Sequence, residues 1–387
     1  MYSYGKNFWI LCLSMFLFMT SFNLIIPELN GFITLLRGAE HKGLIIFLFS
    51  LSAAISRPFS GKLSDTIGRK KVMIIGMLFS VMVSLLYPLS VSSVFFFLIL
   101  RFTHGFSAGF FPTGATALIT DILKPEQRGK GMGIWGVAIS LGIGTGQGFG
   151  SIICNQFGLT NLFFIAASVA LSSGLLLINI KETLQEKQKF SHNHLTIKMT
   201  DVFEPSVIPV SIVMFLSATC SGIAFVLTPD ISKLLAIENK GWFFIFYVVT
   251  TIMVRLFFSG ISDKIGRRQT LAIGMFFLII SMLLIGSSNN IISYTFASVI
   301  FGIATGMSSP TIFSWTADLS HPQRRGVGTG TMFIALELGI MFGAASTLYT
   351  YNGQLDSILG VFSLGAIFAT LALIYLLWHI KYRKSLT

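Results

Sequence analysis

Glu337 stands in the middle of an apolar run, Phe333-Ile-Ala-Leu-Glu337-Leu-Gly-Ile-Met341, with no basic residue beside it. In a low-dielectric setting a carboxyl can take up and release a proton near neutral pH. Glu337 is therefore a candidate for proton coupling or substrate binding. The alternative is a protonated acid that hydrogen-bonds a neighbouring helix. Arg101 lies in a second apolar run, where it would bind an anionic group or act on a nearby carboxyl; the alternative is a donor to helix carbonyls. His104, one turn further on the same face, is a candidate relay partner. Glu28 and Asp230 each follow a proline, in Ile26-Pro27-Glu28 and Thr228-Pro229-Asp230. They are candidates to bind protons or cations, or else ordinary interfacial charges. Asn23, Gln147, Trp315 and Tyr247 are candidate polar or aromatic groups of a cavity.

The elements that carry these residues read as membrane spans. Of 387 residues 53% are apolar, and 11% are charged, against roughly 25% charged in a soluble domain. The mean hydropathy is +0.79. A span needs about 20 mostly apolar residues. Such runs fall at 8–29, 43–60, 71–90, 93–118, 131–153, 159–180, 207–228, 242–259, 270–287, 291–316, 327–349 and 357–379. The fold class expected is an all-α membrane protein of twelve transmembrane helices. The run after Lys6 reads as the first span rather than a signal peptide. The segment 181–206 is polar and charge-rich, and reads as a cytoplasmic linker between an N-terminal bundle, 1–180, and a C-terminal bundle, 207–387.

Basic residues orient the spans. With a cytoplasmic N-terminus, 20 Lys and Arg fall in inside segments and 4 outside, a strong positive-inside asymmetry. Both termini are then cytoplasmic. The net charge of +12 is a topology device, and no nucleic-acid partner is expected. Cys12, Cys154 and Cys220 all sit in apolar runs, with neither disulfide nor metal-ligand spacing. The sequence carries no P-loop, no zinc-binding His pair and no nucleophile elbow. No enzyme, metal or cofactor is expected.

The chain repeats itself at an offset of 197–198 residues. Arg57-Pro-Phe-Ser-Gly-Lys-Leu-Ser-Asp-Thr-Ile-Gly-Arg-Lys70 aligns with Arg255-Leu-Phe-Phe-Ser-Gly-Ile-Ser-Asp-Lys-Ile-Gly-Arg-Arg268. Glu40–Gly43 aligns with Glu238–Gly241, and Asp121, Pro125, Arg128 and Gly129 align with Asp318, Pro322, Arg325 and Gly326. A parallel repeat of six-span halves implies two six-helix bundles about a pseudo-twofold along the membrane normal, with a cavity at the midplane. Within the repeated segment, Gly68 suits a tight turn of positive φ. Asp65 and Arg69 are four apart and can pair, and Asp121 is a natural third member. The second half offers Asp263, Gly266, Arg267 and Asp318. The candidate residues are not symmetric: Ser140 is the repeat partner of Glu337, and Ser298 that of Arg101.

Gly61-Lys-Leu-Ser-Asp65-Thr-Ile-Gly68-Arg69-Lys70 resembles the signature of the major facilitator superfamily, found in the loop between spans two and three. Arg101-Phe-Thr-His-Gly105 resembles that superfamily's span-four motif. Span five, with Gly133, Gly142, Gly146-Gln147 and Gly150, resembles the glycine-rich motif of proton-coupled drug and metabolite exporters. A proline usually follows the third glycine there; Gln147 takes its place here. The resemblance implies two bundles that rock around a central site. It also implies a gating role for the cytoplasmic residues Arg57, Gly61, Asp65, Gly68, Arg69, Asp121, Asp263, Gly266, Arg267 and Asp318, and a link between Arg101 and proton transfer. The function expected is a proton-coupled exporter of amphiphilic small molecules, an antiporter driven by the proton gradient, acting as a monomer in the bacterial inner membrane. The alternative is a transporter of a specific polar solute such as a sugar or siderophore.

Overall fold

The structure is a computed structural model that describes residues 4–38, 41–191, 194, 196–237, 242–258, 260–351 and 355–384. Glu40 and residues 238–241, part of the shorter repeat match, lie outside the described residues. Among the described residues every regular element is helical. In chain order these are α1 (Lys6–Leu35), α2 (Lys42–Thr66), α3 (Arg69–Leu86), α4 (Val94–Ile122), α5 (Arg128–Phe157), α6 (Leu159–Leu176) and the short α7 (Met199–Val202). They continue as α8 (Ile208–Leu234), α9 (Trp242–Phe258), the short α10 (Ile261–Ile265), α11 (Arg267–Gly286), α12 (Ile291–Leu319), α13 (Arg325–Thr350) and α14 (Leu355–Lys384). Among the described residues eleven helices are long and apolar enough to cross a membrane, and α9 is a shorter apolar helix at the place expected for the eighth span. Pro27, Pro58, Pro112 and Pro310 stand inside α1, α2, α4 and α12. Such prolines are tolerated where neighbouring helices satisfy the freed carbonyls.

The helices run further than the apolar runs. α2 continues to Thr66, so Gly61 to Asp65 form the last turns of a helix and not part of a loop. Small residues explain the difference: Gly61 and Ser64 let another helix lie against these polar turns, which would otherwise be solvated. The turn itself is confined to Ile67 and Gly68, with Gly68 at φ 122°. Gly266 takes φ 98° at the equivalent place, between α10 and α11. Both values lie where only glycine is comfortable.

The chain forms two compact units. Unit 1 comprises Met1–Leu123, Ala138–Pro205 and Ser320–Phe333; unit 2 comprises Lys124–Val137, Ser206–Leu319 and Ile334–Thr387. The first turns of α5 thus belong to unit 2, and the first turns of α13 to unit 1. Unit 1 has an aromatic core of Phe32, Tyr87, Phe97 and Phe163, packed with Leu24, Ile45 and Val83. In unit 2 the buried Phe243 packs on Tyr294 and Phe301, each with ring centroids 5.6 Å away. Large apolar side chains such as Phe95, Phe257 and Ile292 point outward, as lipid-facing positions require.

Candidate functional site

In unit 1 the break at Gly68 starts α3 with Arg69 beneath the end of α2. Arg69 is almost completely buried and bridges Asp65 at 2.9 Å and Asp121 at 3.3 Å. It also donates to the Ser64 carbonyl at 2.5 Å. The Asp65 carboxylate accepts the backbone N–H groups of Gly326 and Val327, both at 2.8 Å. It thereby caps the first turn of α13, where helix N–H groups lack internal partners and the dipole favours a negative charge. Arg325, at the head of α13, reaches the other oxygen of Asp121 at 2.5 Å. Gly61 and Gly326 face each other so closely that a Cβ on either would strike the opposing backbone. Arg57, one turn earlier on α2, donates to Thr113 at 2.9 Å and lies over the Phe333 ring at 4.2 Å.

Unit 2 repeats the arrangement. Arg267 pairs with Asp263 and with Asp318, the latter at 2.9 Å. Asp263 accepts the N–H groups of Gly129 at 2.9 Å and Lys130 at 3.1 Å, capping the first turn of α5. Arg128 reaches Asp318 at 2.7 Å. Arg255, the counterpart of Arg57, donates to the Gly136 carbonyl. The expected triads are thus present, with one arginine more in each. The added members, Arg325 and Arg128, are aligned with each other by the repeat.

The linker adds a layer in unit 1. Glu182 accepts the N–H groups of Arg69 at 3.2 Å and Lys70 at 3.0 Å, capping α3. Thr183 donates to Asp121 at 2.6 Å. Lys62 pairs with Asp201 at 2.8 Å, and Arg324 with Glu204 at 3.0 Å. A polar cavity of about 710 Å³ lies between linker residues 183–188 and the cluster of Asp65, Arg69, Asp121 and Arg325.

Deeper in unit 1, Arg101 and His104 are both buried, and Tyr87 joins them. Arg101 donates to the Tyr87 phenol at 3.3 Å and to the Ile45 carbonyl at 3.3 Å, with its guanidinium 4.7 Å from the Phe49 ring. The phenol oxygen lies 3.2 Å from Nδ1 of His104, whose Nε2 lies 3.3 Å from Ser80 Oγ. Arginine only donates, so the phenol oxygen accepts from Arg101, and the phenol joins Arg101 to the His104 ring. Among the described residues no carboxylate pairs with Arg101; its carbonyl partner is the alternative weighed for it.

Along α1 and α5 the glycine motif does what its spacing suggests. A Cβ at Gly142, Gly146 or Gly150 would strike the α1 backbone at Phe16, Thr20 or Leu24. α5 is a single helix through Gln147. A polar seam follows the same contact: Gln147 donates to Asn23 at 3.1 Å, and Ser151 donates to Glu28 at 2.6 Å. Asn23 is buried, and its amide also holds the Met19 carbonyl at 2.8 Å. In unit 2 Glu337 is half-buried on α13, two residues before Gly339, which packs on the Phe215 carbonyl of α8. Asp230 is exposed at the end of α8, beside Tyr351. Trp315 is buried under Arg268, with His379 at its edge.

Residues 11–233 and 210–386 each match the model of the Major Facilitator Superfamily. The chain belongs to that superfamily. It is a multi-pass membrane transporter, not an enzyme. This facilitator-superfamily chain is 29% identical over 286 residues to Multidrug resistance protein 2 of Bacillus subtilis, covering 68% of this chain and 69% of that protein. It is 26% identical to the quinolone resistance protein NorA of Staphylococcus aureus over 88% of each. The crystal structure of the human organic anion transporter MFSD10 superposes with a TM-score of 0.83 at 19% identity, covering 96% of this chain and 98% of that one. The Escherichia coli fucose:proton symporter FucP gives 0.75 at 16% identity, covering 96% and 99%. At these identities the two structures share the two-bundle fold with this superfamily member.

Proposed function

We propose that the protein is a proton-coupled exporter of amphiphilic small molecules that works by alternating access. The observation that carries this reading is the pair of matching clusters, Asp65–Arg69–Asp121–Arg325 and Asp263–Arg267–Asp318–Arg128. Each holds the first turn of one long helix, α13 or α5, through a carboxylate cap. Breaking the caps frees those helices to move, and remaking them returns the resting state. Glu337 is the residue assigned to proton exchange, Arg101 supplies a fixed positive charge linked to proton transfer by the family resemblance, and the proton gradient is the energy source. The multidrug and quinolone resistance proteins among the relatives support an amphiphilic cargo. We read it as a monomer in the bacterial cytoplasmic membrane, and the placement of both termini inside fits the distribution of Lys and Arg.

A second reading, transport of one polar solute, is favoured by the Asn23–Gln147 and Ser151–Glu28 seam, which offers hydrogen bonds that an apolar cargo does not use. Proteoliposomes loaded with ethidium, with and without an imposed pH gradient, test both. Gradient-driven ethidium movement is expected. Flux indifferent to the gradient overturns proton coupling, and saturable flux of a sugar without ethidium movement favours the second reading.

A further inference from the structure

The two units carry the same helix contacts but fill them differently. Gly142 and Gly146 of α5 lie on the Phe16 and Thr20 carbonyls of α1, and Gly339 and Gly343 of α13 lie on the Phe215 and Thr219 carbonyls of α8. That geometry aligns Met15-Phe-Leu-Phe18-Met19-Thr20-Ser-Phe22 with Met214-Phe-Leu-Ser217-Ala218-Thr219-Cys-Ser221. Likewise Gly76 of α3 packs on Phe111 of α4, and Gly274 of α11 packs on Ser308 of α12. Phe18 corresponds to Ser217, and Phe111 to Ser308.

In unit 1 those two aromatic rings stack on each other, with centroids 3.9 Å apart and planes 4° apart. They are fully buried and fill the space between α1 and α4. In unit 2 both members of the pair are serines, and a cavity of about 80 Å³ remains there between α8, α11, α12 and α13. Packed interiors close such gaps unless something prevents it, so a cavity where the repeat supplies a stacked pair is a feature of this half.

Its chemistry is defined by where the hydroxyl protons go. Ser217 donates to the Met214 carbonyl at 3.1 Å, Ser308 to Ala304 at 2.7 Å and Ser309 to Thr305 at 2.9 Å. Thr305 donates to the Phe301 carbonyl at 2.9 Å. With their protons committed to their own helices, these four oxygens offer lone pairs only, while the hydroxyl of Ser221, which also lines the cavity, can give or accept. Met214 and Met275 line the same cavity, and their flexible thioethers give way to, and interact favourably with, an aromatic ring. No carboxylate lines it, so a full positive charge there would be costly.

We propose that this cavity is a subsite for an uncharged, hydrogen-bond-donating aromatic group of the cargo, of the phenol or aniline type. The donor points at the serine and threonine oxygens, and the ring lies against Met214 and Met275. At about 80 Å³ the cavity is roughly half the volume that admits benzene in an engineered core, so the two methionines shift as the ring enters. The assignment rests on the reading of the protein as a small-molecule transporter, but its test requires no transport.

Equilibrium dialysis of the purified protein in detergent with radiolabelled phenol and anisole provides that test, since anisole keeps the ring and lacks the donor. Phenol is expected to bind about threefold to tenfold more tightly than anisole, the factor one hydrogen bond supplies. Ser217→Phe, which restores the unit 1 residue, is expected to abolish binding of both. Ser308→Ala, a change too small to threaten folding, is expected to remove most of the preference for phenol. Equal binding of phenol and anisole, or a preference untouched by both substitutions, overturns the subsite. Either result would leave proton-coupled export standing.

Discussion

The carboxylate of Asp65, in the last turn of α2, accepts the backbone N–H of Gly326 at the start of α13 at 2.8 Å. The two residues are 261 positions apart. The same carboxylate accepts Val327 N–H and pairs with Arg69, so one side chain ties three helical segments together.

Asp65→Asn keeps the shape and removes the charge. A charge-assisted hydrogen bond contributes about 1.5–3 kcal/mol, so transport is expected to fall about tenfold or more. Membrane insertion is expected to remain at the wild-type level. Asp263→Asn, which removes the equivalent cap from α5, is expected to act in the same direction. Rates in proteoliposomes, normalised to inserted protein, check both; full activity of the two variants would sink the gating role.

Tyr87→Phe leaves both Arg101 and His104 without the phenol between them. A buried polar group stripped of its partner costs about 1–3 kcal/mol, so the melting temperature of the purified protein is expected to fall. His104→Leu should lower it too, because the phenol then loses its ring partner. The double variant is expected to lose less than the sum of the two, as residues in one network do. Strict additivity would mean that the chain is not coupled.

Gly150 and Gly148 form a matched pair on α5. A Cβ at Gly150 would strike the Leu24 backbone of α1, whereas a Cβ at Gly148 meets nothing within 4 Å. Gly150→Leu is expected to force α1 and α5 apart at a cost of about 1–3 kcal/mol or more. Gly148→Ala is expected to be neutral, or to stabilise by up to about 1 kcal/mol through helix propensity. Thermal melts that rank Gly148→Ala below Gly150→Leu would contradict the packing.

The linker should respond to acid. Burial works to raise the pKa of Asp201, but the Lys62 hydrogen bond at 2.8 Å and the Lys198 N–H at 3.0 Å outweigh it and hold the carboxyl below its ordinary 3.8. A carboxyl depressed in the folded state contributes stability above its unfolded pKa and loses it as the pH falls through the folded value. The tie is therefore complete at neutral pH and weakens only below about pH 4. Wild type is expected to melt above Asp201→Asn at pH 7, with the gap closing toward pH 3. A gap that does not change with pH would point to packing instead of charge.

Glu337→Gln is expected to abolish gradient-driven transport while leaving cargo binding intact, because an amide cannot exchange a proton. Drug-dependent proton release from purified protein is the direct measurement, and unchanged release would move the coupling role to another group.

Much of this protein could be read before any coordinate was known. Twenty-residue apolar runs leave the backbone no alternative to helix in lipid, so the spans followed from hydropathy, and the repeat followed from matched residues at a fixed offset. Gly68 and Gly266 declared their turns because few other residues tolerate positive φ. The triads could be read because Asp65 and Arg69 are neighbours across one turn. Partners distant in sequence had no such signal. Nothing near Asp121 in the chain points to Arg325 or Thr183, nothing near Arg101 names Tyr87 as its link to His104, and Glu182 looks like one more charge in a polar linker. The limit of α2 was also hidden, because polar residues end an apolar run while glycine and serine let the helix go on and be packed.

The sequence by itself determined that the chain is helical, membrane-embedded and internally repeated, because solvation of the backbone in lipid is a local matter decided residue by residue. Only the tertiary structure decided which charges meet. The caps on α13 and α5, the Arg101–Tyr87–His104 chain, and the serine-lined cavity where unit 1 stacks Phe18 on Phe111 all arise from helices brought together across long separations. Electrostatics and close packing depend on distance in space, and the linear order of residues does not specify it.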